Sequence, residues 1–126
     1  MERGAITPTN LRAAWWALRT ARRTRRLLAS EGLEAAIGPP PPPELPDGGI
    51  RGVRGLLRRR GESCLVKSIV VQSWDAAHGR RRDLIIGVTT PSEFGAHAWL
   101  DGDAAMTASR PYQEILRREL PAAWPG

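Results

Sequence analysis

Residues 38 to 49 read Gly-Pro-Pro-Pro-Pro-Pro-Glu-Leu-Pro-Asp-Gly-Gly, and no other stretch limits the fold as strongly. Five successive prolines hold φ near −65° and remove five backbone donors, so this stretch is neither helix nor inner strand but an extended polyproline II rod. The rod divides the 126-residue chain into an N-terminal segment, 1–37, and a larger C-terminal segment, 50–126. Segment 38–49 reads as a connector lying outside the core. A chain of this length forms one folded unit of ordinary domain size.

In the first segment, Thr9 or Asn10 caps a helix expected to begin at Leu11 and to end near Gly32. Leu11, Ala14, Trp15, Leu18, Ala21 and Leu28 recur at helical spacing and predict the stripe that docks on the rest of the protein. The arginines on its other faces, Arg12 to Arg26, suit either a solvated surface or an anionic partner.

Beyond the rod, Val53, Leu56 and Leu57 predict a short helix closed by Gly61. Ser63 then caps a second helix that starts at Cys64, runs through Leu65, Val66, Ile69, Val70, Trp74 and Ala77, and stops at Gly79. Leu84-Ile85-Ile86-Gly87-Val88 has the β-branched composition of a central strand, and Ala96-His97-Ala98-Trp99-Leu100 reads as its neighbour, ended by the turn residues Asp101-Gly102-Asp103. One further short strand and a last helix around Tyr112 to Leu120 complete the expectation. The fold class is α+β, a helix packed on a small antiparallel sheet and joined by an N-terminal amphipathic helix.

The net charge of +6 comes almost wholly from arginine, with Lys67 as the single lysine, and it favours an anionic partner without choosing among nucleic acid, membrane surface and acidic peptide. No stretch approaches the roughly 20 apolar residues of a membrane span, and residues 1–10 carry no apolar run; the expectation is a soluble, cytoplasmic protein. A single cysteine forms no internal disulfide and suits a reducing compartment.

Cys64 occupies the first turn of its helix, where unpaired backbone N–H groups and the helix dipole favour a thiolate and can also cradle an oxyanion. A nucleophilic thiol needs a base. His97 supplies an imidazole from the second strand, whereas His78 lies fourteen residues along the same helix, roughly 21 Å from the thiol. The bland alternative is an inert buried cysteine with a core histidine. No ligand spacing suggests a metal and no Gly-rich loop suggests a phosphate cofactor, so none is expected.

Cys64-Leu65 opening a helix after a capping serine, Ile86-Gly87-Val88, and Ala96-His97-Ala98-Trp99, together with the Arg-rich first helix bearing Trp15-Trp16 and the Pro-rich stretch, resemble the leader peptidases of lasso-peptide biosynthesis. These include the microcin maturation protease and have a transglutaminase-like, papain-like core. The resemblance covers nearly the whole chain. It implies a cysteine peptidase that cleaves the leader from a ribosomally made precursor peptide, with Cys64 as nucleophile and His97 as base. It also implies two partners, a PqqD-like leader-recognition protein and a separate lasso cyclase that closes the isopeptide ring.

The family's third catalytic residue is an aspartate after the histidine, and Asp101 is the candidate. In a straight strand four residues at about 3.3 Å each separate it from His97 by about 13 Å, so it serves only where the turn folds back. In a hairpin Met106 faces His97, with Thr107 to Ser109 nearby. Asp103, Ser109 or a backbone carbonyl are the other candidates for holding the imidazole, and ordinary turn aspartates are the structural alternative. Two rival readings stand beside the peptidase: a basic nucleic-acid-binding protein, which leaves Cys64 and His97 unexplained, and a transglutaminase-like domain that performs acyl transfer or is inactive.

Overall fold

The computed structural model describes residues 7–88, 96–103, 113–122 and 124. Helix α1 spans Pro8–Ser30. Thr7 caps it, its side chain accepting from Asn10 N at 3.0 Å, and Pro8 fills the first turn, where its missing N–H costs nothing. The cap therefore lies two to three residues before the expected Thr9 or Asn10.

The docking face of α1 keeps Ala21 and Leu28 of the expected stripe but not Leu11 and Trp15. Ala13, Trp16, Ala17, Thr20, Ala21 and Thr24 are buried, while Leu11 and Trp15 are 61% and 60% exposed. The buried face is made of small residues because α1 crosses α3 (Ile50–Arg59) at close range: a Cβ added to Gly52 would lie 2.2 Å from Asn10 O. Large side chains cannot enter such a contact. Trp16 is the exception, filling the space beside α4 (Cys64–Ala77) with its ring 5.9 Å from that of Trp74.

A four-residue helix, α2 (Leu33–Ala36), follows Gly32, whose φ of 98° reverses the chain at little cost for a residue without a Cβ. Segment 38–49 corrects the expectation of a connector lying outside the core. Pro39 is fully buried, its carbonyl accepting from Ser73 Oγ at 3.2 Å and from Trp124 Nε1 at 2.8 Å, and Leu45 belongs to the core. A chain without amide donors can lie against a buried helix because it leaves few donors to satisfy, while its carbonyls find hydroxyl and indole partners.

Helix α4 is the axis of the molecule. Ser63 caps it as expected, accepting from Val66 N at 3.2 Å, and it ends at Ala77 just ahead of Gly79, whose φ is 86°. Val66 and the whole run from Ser68 to Ala76 are buried. Burial of each large apolar side chain here contributes about 1.5–3 kcal/mol relative to exposure.

Strands β1 (Leu84–Val88), β2 (Ala96–Leu100) and β3 (Gln113–Arg118) form an antiparallel sheet in the order β2-β1-β3, with β1 central. The pairing Leu84↔Leu100 and Ile86↔Ala98 puts these four side chains on one face, in the same core cluster as α4. Strand β3 occupies the place where a last helix was expected. Glu, Leu and Arg favour helix, but β1 needs a second edge partner, and pairing from Leu84↔Arg118 to Val88↔Gln113 overrides that preference. Residues 104–112, including Met106, Thr107 and Ser109, lie outside the described residues.

Candidate active site

Cys64 is the first residue of α4 and is half-buried. Of the N–H groups at this helix start, Val66 N is used by Ser63 Oγ and Lys67 N by Ser63 O, while Cys64 N and Leu65 N have no acceptor among the described residues. The loop before the cysteine is tied to α1 through buried Glu62, whose carboxylate accepts from Arg25 at 2.6 Å. The first helix thereby fixes the approach to the cysteine, a role that periodicity does not reveal because Arg25 lies on a face that reads as solvated.

The thiol reaches the outer edge of β2. Ala98 N donates to Cys64 Sγ at 3.2 Å, so the sulfur is held by a backbone donor from the edge strand as well as by the helix that carries it. A pocket of about 220 Å³ opens here, with Cys64, Ser68 and Val71 from α4 and His97, Ala98, Trp99 and Leu100 from β2 on its walls. Four consecutive strand residues line it, so it runs along the strand edge and not over one face of the sheet. Cys64 and His97, paired by sequence reasoning, thus face one cavity, and half-buried His97 lies opposite Gly87 in the β1–β2 register.

The two turn aspartates separate. Asp103 is on the pocket wall: one carboxylate oxygen accepts from Leu100 N at 3.1 Å and the other from Arg82 at 3.0 Å. Arg82 is bound in turn by buried Asp75 at 2.9 Å. Asp101 is not among the pocket residues; its N donates to Asp83 O, and its carboxylate pairs with Arg117 at 3.3 Å. Asp101 thus sits in the turn paired with Arg117, while Asp103 closes the strand edge beside the pocket.

His78 lies at the other end of α4, stacked on Trp74 at 4.5 Å, with its ring nitrogens 2.8 Å from the carbonyls of Trp74 and Leu45. It joins the proline segment to the helix end, remote from the thiol. Among the described residues no group of three His, Cys, Asp or Glu side chains is arranged to hold a metal ion.

These elements define an α+β domain whose single cysteine opens the central helix and meets the edge of an antiparallel sheet. The chain belongs to the transglutaminase-like superfamily, whose family model matches residues 8–117. The match spans the first helix, the proline segment and the sheet, which agrees with one shared core. Neither the curated proteins nor the solved structures gave a match. Membership fits the general fold of cysteine peptidases and related acyltransferases. No helix among the described residues is long and apolar enough to cross a membrane.

Proposed function

We propose that this protein is a cysteine peptidase that removes the leader from a ribosomally made lasso-peptide precursor before a separate cyclase closes the ring. The observation that carries the reading is the placement of Cys64 at the capped start of α4, its sulfur against Ala98 N, in a pocket that His97 also lines. In this mechanism His97 takes the thiol proton and the sulfur attacks the scissile carbonyl carbon. The Cys64 and Leu65 N–H groups receive the developing oxyanion. Collapse of the intermediate breaks the C–N bond as His97 returns the proton to the leaving amine, and water, deprotonated by the same imidazole, then hydrolyses the thioester.

The specific substrate rests on the resemblance of the motifs around Cys64 and His97, and superfamily membership supports the peptidase-type fold. The same reading assigns a cytoplasmic location and a PqqD-like protein as the leader-binding partner. Tethering by that partner raises the effective substrate concentration and is expected to increase cleavage by roughly 10²–10⁴-fold.

The test is cleavage of a lasso precursor, followed by mass spectrometry, with the recognition protein present. The parent releases an intact core peptide. Cys64→Ala and Cys64→Ser abolish release without loss of fold, and His97→Ala nearly does so, because a nucleophile and its base act as one unit. Full processing by Cys64→Ala would overturn the peptidase reading, and transfer of the leader to an added amine in place of water would assign the site to acyl transfer.

A further inference from the structure

The pocket beside Cys64 does not end at the thiol. A second cleft, also about 220 Å³, is bounded by Arg54, Leu57, Arg58, Lys67 and Val71, and it shares Arg54, Lys67 and Val71 with the first. The two adjoin along α4, the first open towards β2 and the second towards α3. Leu57 and Val71 supply apolar wall, and three cations stand around it.

Arg54 and Arg58, both exposed, are one turn apart on α3, an arrangement of like charges that works against the helix. Lys67 stands one turn after Cys64, which puts their Cβ atoms roughly 5–6 Å apart. Elsewhere some arginines are paired with carboxylates, Arg25 with Glu62, Arg80 with Asp47 and Asp75, Arg117 with Asp83, and Arg118 with Glu34, whereas exposed arginines of α1 such as Arg12, Arg19 and Arg22 have no such partner among the described residues but line no cleft beside the thiol. Arg82, the remaining cation on the thiol pocket, is matched by Asp75 and Asp103. Arg54, Arg58 and Lys67 have no such carboxylate among the described residues, so the second cleft carries their positive charge undiminished beside the thiol.

We propose that the Arg54–Arg58–Lys67 cleft is a subsite for a carboxylate side chain, an Asp or Glu of the peptide whose bond is presented to Cys64. An extended peptide advances about 3.3 Å per residue, so an acidic side chain one to three residues from the scissile bond reaches from the thiol to this cleft. Two guanidinium forks and an ammonium suit a carboxylate through charge-assisted hydrogen bonds, and the apolar wall accepts its methylene groups. A phosphate would suit the same cations, but a cleft this small, continuous with the thiol pocket, favours one side chain over a nucleic-acid backbone.

The inference rests on the peptidase reading, and two readouts keep them separate. The first is binding of fluorescent peptides spanning a precursor's cleavage junction to the inactive Cys64→Ala protein with its recognition partner. One Asp is moved through the positions around the junction and compared with Asn at each. The second is kcat/KM for the same peptides with the parent protein. At one position Asp is expected to exceed Asn by roughly tenfold in both, chiefly through affinity, with the ratio shrinking in high salt. Arg54→Gln combined with Lys67→Gln should collapse that Asp-to-Asn ratio towards one, with circular dichroism confirming the fold.

Cleavage with no positional preference, or a preference that survives the double substitution, overturns the subsite. Charge-dependent binding without any cleavage by the parent overturns the peptidase reading while the subsite stands. A single-stranded oligonucleotide that outcompetes the Asp peptide with the same dependence on Arg54 and Lys67 overturns the carboxylate assignment in favour of phosphate.

Discussion

Asp75 and Asp103 hold Arg82 between them, and that arginine links the buried end of α4 to the edge of β2 where the pocket lies. Asp75 is buried and also binds Arg80 at 2.9 Å, so Asp75→Asn leaves two guanidinium groups short of a counter-charge. Breaking such a pair costs about 3–5 kcal/mol when fully buried; with both arginines partly exposed the expected loss in urea unfolding is about 2–3 kcal/mol. Asp103→Ala removes the acceptor for Leu100 N and is expected to lower precursor cleavage about tenfold, or 1.4 kcal/mol of transition-state stabilisation. Asp101→Asn should change cleavage less than twofold, because its carboxylate faces Arg117. Steady-state kinetics of the two variants decide between them, and a larger loss at Asp101 would reverse the assignment. The sequence made Ser63, Cys64 and His97 legible because a helix cap and a strand face are local properties. Asp103 was not separable from Asp101, since the difference depends on Arg82 and Arg117 arriving from elsewhere in the chain.

Helix α1 shows how a correct element can carry an incorrect face. Its existence is legible from periodicity, but the capping signal misplaces its start and hydrophobicity alone selects Leu11 and Trp15, whereas the buried face carries Ala13, Ala17 and the hydrogen-bonded Thr24. Gly52 lets α3 come close to α1, since its missing Cβ makes room for Asn10 O. Gly52→Ala must therefore separate the helices and is expected to cost about 3 kcal/mol, or roughly 10 °C in Tm, while Leu11→Ser and Trp15→Ser stay within about 0.5 kcal/mol. Thermal melts of the three variants check the ordering, and a Trp15→Ser penalty as large as that of Gly52→Ala would restore the apolar stripe as the docking face. The proline segment and β3 are illegible locally for a related reason. Pro39 and Arg118 gain their places from Ser73, Trp124 and the β1 ladder, partners that no local window contains.

At the scale of the molecule, electrostatics sets the acid limit and the first helix sets cooperativity. The Arg80 hydrogen bond holds the Asp47 carboxyl below its usual range, and the Arg117 hydrogen bond does the same for Glu114. A depressed folded value means stability that is present above the unfolded value, near 4, and lost as pH falls through the folded one. Tm is thus expected to fall below about pH 4, less steeply in Asp47→Asn; both groups are exposed, so the contribution is small and weakens with salt. The larger whole-molecule effect comes from α1. Ala13, Trp16, Ala17 and Ala21 share one core cluster with Val53, Leu57, Val70 and Trp74, and Arg25 reaches over to Glu62 just ahead of the cysteine. Deleting residues 1–37 exposes the α3 and α4 side of that cluster. At about 1.5–3 kcal/mol for each large side chain uncovered, a few such side chains match the 5–15 kcal/mol by which a domain is stable. Fragment 38–126 should then give no cooperative thermal transition and no near-ultraviolet signal from an ordered Trp74. Cleavage should disappear with the fold, even though Cys64 and His97 both remain in the fragment. A fragment that melts sharply at the parent's Tm would show instead that residues 38–126 form the folding unit and that α1 is an appendage.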